Sequence, residues 1–108
     1  MQSEIEIFAK EVAKRFKPEK IILFGSHAMN QASPGSDVDL LVIMDFEGRS
    51  QLQALNIRRQ INRDFPLDLI VRKPSDIKYR LAQGDFFFKD IVENGKVIYE
   101  RSGRRVDQ

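Results

Sequence analysis

The sequence predicts a small mixed domain, α/β or α+β, in which a short mixed β-sheet is flanked by helices. Three observations predict it. The chain has 108 residues, 42% of them hydrophobic and 31% charged, a composition that suits one soluble core and leaves no room for two. Short runs of strand-type residues alternate with stretches of helical periodicity. One such alternation, strand–helix–strand over residues 37–71, forms a βαβ unit whose two strands should be parallel.

The elements follow in order. Over residues 3–16, Ile5, Phe8, Val12 and Phe16 recur at steps of three and four among charged neighbours, an amphipathic helix. Ser3 with Glu6 reads as its capping box, and Pro18 stops it. Lys20 to Phe24 is a short apolar strand ended by Gly25. Residues 27–36 are small and polar, a loop in which His27 to Asn30 can form one helical turn. Residues 37–44 are a second strand, apolar on both faces after Asp39, hence central and covered on both sides. A second helix spans about 50–64 with Leu52, Leu55, Ile57 and Ile61 as its apolar positions. Residues 67–71 are a third strand, and Pro74 and Ser75 open a helical segment to about 82. Asp85 caps a helix from Phe86 to Glu93, and Lys96 to Glu100 is a terminal strand. The domain thus occupies residues 1–100, with 101–108 a frayed tail.

Composition narrows the chemistry. There is no cysteine, which excludes disulfides, thiolate zinc sites and a cysteine nucleophile. The start has no signal-peptide layout and no apolar run approaches membrane-spanning length, so a cytoplasmic protein without membrane contact is expected. With 18 Lys+Arg against 16 Asp+Glu, an excess of two is weak evidence for a nucleic-acid partner, and direct nucleic-acid binding is not expected.

Three features converge on one end of the sheet. Asp37 and Asp39 are two apart in a strand, so both point to one face, roughly 6–7 Å apart. Asp68 opens the third strand as Asp37 and Asp39 open the second, and parallel strands begin at the same end. Three carboxylates gathered there repel one another unless a cation sits among them, and Mg²⁺ is the hard, oxygen-seeking ion that bridges carboxylates to phosphates. Gly25-Ser26 ends the first strand. If that strand is antiparallel to the second, Gly25 lets backbone approach a ligand beside the aspartates, and Ser26 offers a hydroxyl and an N–H to phosphate oxygens. The layout suits a nucleoside triphosphate with Mg²⁺, since phosphoryl chemistry needs chiefly position and charge neutralisation.

Gly25-Ser26, an eleven-residue step to Asp37, the run Asp-x-Asp-Leu-Leu-Val and a later strand carboxylate resemble the DNA polymerase β-type nucleotidyltransferase superfamily. More closely, they resemble the minimal nucleotidyltransferases that serve as antitoxins in HEPN–MNT toxin–antitoxin pairs. The resemblance covers about residues 20–72, and Glu93 to Glu100 is also similar to the terminal segment of that family. It implies a polymerase β-like nucleotidyltransferase fold and a role for each matching residue. Gly25 and Ser26, with His27 beside them, would hold the triphosphate. Asp37, Asp39 and Asp68 would hold Mg²⁺, as one or two ions, and Asp68 would assist deprotonation of the acceptor hydroxyl. His27 stands where the family commonly has Arg, and Asn30 where it commonly has Gly. The implied activity is transfer of a nucleoside monophosphate, AMP from ATP, to a hydroxyl on a HEPN-type helical partner with which the chain would assemble.

A second class of function stays open. The chain can act as a non-catalytic interaction module that neutralises a partner by contact, a role to which the Phe86-Phe87-Phe88 run would lend itself as core plus partner-facing edge. An EF-hand beginning at Asp37 fails, because its sixth position is Val42 rather than Gly.

Overall fold

The structure, a computed structural model, describes residues 2–101. Helix α1 (Gln2–Phe16) leads into strand β1 (Lys20–Phe24), and a loop joins it to β2 (Val38–Ile43). Helix α2 (Ser50–Gln60), strand β3 (Leu67–Arg72), helices α3 (Pro74–Ala82) and α4 (Phe86–Asn94) and strand β4 (Lys96–Glu100) follow. The sheet order is β3-β2-β1-β4. Strand β2 pairs parallel with β3, and β1 pairs antiparallel with both β2 and β4. The domain is therefore mixed α+β, and the βαβ unit read from residues 37–71 is present.

Alternation along the strands divides the core in two. On one face Ile21, Leu23, Leu40, Val42 and Leu69 pack with Ile5, Phe8 and Val12 of α1 and Ile57 of α2. On the other, Ile22, Leu41 and Ile43 meet Ile77 of α3 and Phe88 and Ile91 of α4. Strand β2 has neighbours on both sides, and its residues Leu40 to Ile43 are buried on both faces, as its unbroken apolar run predicts. Odd-numbered residues of β2 share the face of α3 and α4, which is where Asp39 must point.

Several expectations are corrected. Helix α1 already runs from Gln2, so Ser3 lies inside its first turn instead of capping it. Helix α2 ends at Gln60, four residues early, and Ile61 is extended at φ −126°, ψ 120°. Ile61 is still buried, because the chain turns inward there to reach Phe65 and β3. Leu52 and Leu55, read as core positions, are 61% and 41% exposed. Ile57 is the residue of the helix that is buried. Arg101, expected to begin the frayed tail, is held: its N–H donates to the Glu19 carbonyl at 2.9 Å and its guanidinium to the Lys17 carbonyl at 2.6 Å. Residues 102–108 of that tail lie outside the described residues. Among the described residues no helix is long and apolar enough to cross a membrane.

Helix α4 begins as expected. The Asp85 side chain accepts from the N–H groups of Phe87 at 3.0 Å and Phe88 at 3.2 Å, which satisfies two of the donors that a helix start leaves free. Its other oxygen pairs with Arg80 at 3.4 Å. Asp85→Ala is expected to lower stability by about 1 kcal/mol, read as a reduced urea midpoint, while Asp85→Asn keeps most of the cap.

Candidate active site

The strand registers bring the predicted carboxylates into one row. Asp39 of β2 lies opposite Phe24 of β1 and opposite Asp68 of β3. The row Phe24–Asp39–Asp68 crosses three adjacent strands, and strand alternation puts all three on the α3/α4 face. Asp37 precedes β2 by one residue. Antiparallel pairing of β1 with β2 delivers the end of β1, and with it Gly25 and Ser26, to the strand starts that carry the aspartates.

Gly25 adopts φ +75°, in the left-handed region. A Cβ built there would collide with Asp39 Oδ2 and stand 3.1 Å from its Cγ. Only a residue without a side chain lets the turn close against this carboxylate. The turn then folds back on itself: the Gly25 carbonyl accepts from Ala28 and Met29, and the Ser26 carbonyl from Met29 and Gln31. This is a hydrogen-bonded turn, shorter than a helix. Asn30 takes φ +58°, a conformation that Asn tolerates better than most residues.

His27 Nε2 donates to the carbonyl of Ser36 at 3.2 Å. The bond spans the loop and fastens the residue before Asp37 to the Gly25-Ser26 turn. His27 is therefore placed beside the carboxylates by its bond to the loop, a contact that spacing along the sequence does not disclose.

The electrostatics are those of crowded acids. Partial burial lifts the Asp39 carboxyl above its ordinary value, and the charges of Asp68 and Asp37 push it the same way. A side-chain hydrogen bond to Asp68 adds to the rise, while the nearby His27 opposes it. Burial and the neighbouring acids therefore all favour the protonated form of Asp39. Asp68 is exposed. Its place between the buried Leu67 and Leu69 does not bury it. Its flanking residues face the opposite layer.

The residues fit a hard divalent cation. The side chains in the row offer carboxylate oxygen alone, the donor such ions prefer, and Asp39 is held in a state that a positive charge would relieve. Among the described residues no three or more His, Cys, Asp or Glu side chains form a ready metal cage. The arrangement suits an ion whose shell is completed by water and by oxygens of a bound ligand, the usual habit of Mg²⁺.

The surface around the row is shallow. A recess of about 330 Å³ runs along the loop by His27, Ser33, Pro34 and Ser36, and one of about 160 Å³ lies between Gly25, Met29 and the Asp90–Asn94 side of α4. A larger recess, about 430 Å³, opens at the other end of the sheet between Phe46, Arg49 and Lys73. It contains none of the predicted carboxylates, so the chemistry and not the size identifies the site.

Two supports escaped the sequence reading. Arg58, in the last turn of α2, donates from Nη1 to the Leu67 carbonyl at 2.9 Å and so fixes the residue before Asp68. Phe24, the last residue of β1, stands in register with Asp39 at the edge of the site. Its parity with Asp39 becomes readable only once the antiparallel register is known.

Comparison with known proteins agrees with this geometry. Residues 6–104 match the family described as Polymerase beta, Nucleotidyltransferase. A crystal structure from Sulfolobus solfataricus, provisionally described as that of a nucleotidyltransferase, superposes with a TM-score of 0.67. The match covers 94% of this chain and 82% of the other at 21% identity, a likeness of fold. No curated protein matches the chain.

Proposed function

The chain belongs to the polymerase beta nucleotidyltransferase family, and from that premise we propose that it transfers a nucleoside monophosphate, AMP from ATP, to a hydroxyl group on a partner protein. The observation that carries this reading is the contact of the Gly25 turn with the Asp39 carboxylate, in register with Asp68. It joins a place where phosphate oxygens can meet backbone to a place where charge needs a cation.

Domains of this family generally use a nucleoside triphosphate and a divalent metal. In this chain Asp37, Asp39 and Asp68 would hold Mg²⁺, as one or two ions, and the metal would neutralise charge on the phosphates. Gly25 and Ser26 orient the triphosphate through backbone and hydroxyl, and His27 keeps that turn fastened to the Asp37 loop. The acceptor oxygen attacks the α-phosphorus, forming one P–O bond as the bond to the leaving pyrophosphate breaks. Asp68, exposed at the edge of the row, takes the hydroxyl proton.

The acceptor we propose is a HEPN-type helical protein in the cytoplasm, with which the chain assembles and which it silences as an antitoxin. The shallow site supports this, since a site with little enclosure leaves its acceptor side open to the surface of another protein. Intact-mass analysis of such a partner, incubated with the chain, ATP and Mg²⁺, should show a gain of one or more AMP units. The Asp37→Asn, Asp39→Asn double variant should give none; an equal gain would refute the assignment.

Phe86, 83% exposed, favours a second reading in which contact alone neutralises the partner. Full neutralisation by the same double variant would establish that reading in place of the first.

A further inference from the structure

Phe87 is half exposed, yet its ring is held from two sides. It meets the Phe24 ring edge-on at 5.9 Å and 90°, and the Phe88 ring at 5.1 Å and 80°. Phe88 is itself buried beneath the guanidinium groups of Arg72 and Arg80, 5.7 Å and 5.2 Å from its centroid. A side chain fixed this way has little rotamer freedom left to lose when something docks on it.

Through Phe24 that ring is linked to the carboxylate row. Phe24 faces Asp39 across the β1–β2 ladder and directly precedes Gly25. A triphosphate lying at Gly25-Ser26 and Asp39 carries its nucleoside beyond the phosphates, and a rigid aromatic surface is what a base can stack upon. Phe86, the next ring on the helix, points about 100° away around the axis.

We infer that Phe87, braced by Phe24 and Phe88, is the stacking platform for the nucleobase of the bound triphosphate, an inference that rests on the site being a nucleoside triphosphate site. Stacking uses a face that every base possesses, so selection is graded by ring size and not by hydrogen-bond pattern. ATP and GTP should bind alike, pyrimidine triphosphates more weakly, and inorganic tripolyphosphate, which has no base, weakest.

Titration calorimetry of the full chain with Mg²⁺ tests this, using ATP, GTP, CTP and tripolyphosphate as probes. Wild type should hold ATP and GTP about tenfold more tightly than tripolyphosphate. Phe87→Leu keeps apolar bulk but removes the ring; it should lose that tenfold for ATP and leave tripolyphosphate unchanged. Phe87→Trp should restore ATP binding, and Phe86→Leu should change neither probe. Equal wild-type affinity for ATP and tripolyphosphate overturns the inference without any variant. So does Phe87→Leu binding ATP as wild type does, or losing both probes together, which would mark the ring as a mere support of the phosphate turn. If Phe87→Leu leaves both affinities intact but no longer holds a protein partner, the surface belongs to that partner and the inference falls. If wild type binds neither ATP nor tripolyphosphate, the triphosphate reading itself fails, a result distinct from all the others.

Discussion

Asp39→Asn should abolish Mg²⁺-dependent triphosphate binding and cut transfer by roughly a hundredfold to a thousandfold or more, the scale on which removing one electrostatic partner of a transition state acts. The substitution keeps shape and removes the charge at the centre of the Phe24–Asp39–Asp68 row. It should also make the metal-free protein more stable at neutral pH. Burial, then Asp68 and Asp37, raise the folded carboxyl above its unfolded value. The contribution of protonated Asp39 is therefore fully present below the unfolded pKa and is lost as pH rises through the folded one. Asn cannot ionise and escapes that loss. Melting curves in chelator should show the variant's advantage over wild type growing as pH rises from acid through that window and then levelling off. Added Mg²⁺ should raise the wild-type midpoint and leave the variant where it was. An advantage that does not change with pH would show that repulsion among the three acids is not what the substitution relieves.

Gly25→Ala should damage the site through a single methyl group. The backbone there has φ +75°, which costs a residue with a side chain about 1–2 kcal/mol, and the new Cβ would strike Asp39 Oδ2. Either the turn or the carboxylate must move, so triphosphate binding should be lost along with about 1–3 kcal/mol of stability. Gly48→Ala is the matching control. It carries the same backbone strain at φ +86° with nothing within 4 Å of its Cβ, so it should lower the urea midpoint yet bind ATP as wild type does. Loss of ATP binding in both variants would mean that strain alone, and not the approach to Asp39, governs the site.

The legible parts of this molecule were those set by local pattern. The apolar run from Leu40 to Ile43 disclosed a central strand, and Asp85 before Phe86 disclosed a helix start, because each signal lies within a few residues. The step from Ser26 to Asp37, with Asp39 and Asp68, disclosed which residues the structure would bring to one end of the sheet. What failed depended on tertiary context. Ile61 has helical spacing after Ile57, yet the chain leaves the helix at Gln60 to reach β3. Leu52 and Leu55 have the right period and yet stay exposed. Asp68 looks enclosed by its apolar neighbours in sequence, but alternation sends those neighbours to the opposite layer. The contacts of Arg58 with Leu67, His27 with Ser36 and Phe87 with Phe24 span 9 to 63 residues along the chain, and no local period records such distances.

Strand β2 is the middle of this sheet, paired along both edges and covered on both faces, and it carries Asp39. The Gly25 turn and the loop to Asp37 lie outside the sheet, held by a few hydrogen bonds at the surface. The two halves of the candidate site therefore sit at opposite ends of the molecule's ladder of opening energies. The backbone that carries Asp39 is displaced only when this doubly paired, doubly covered strand opens, whereas the surface turn at Gly25 opens at lower cost. A ligand at this candidate site would then meet one mobile wall and one fixed wall.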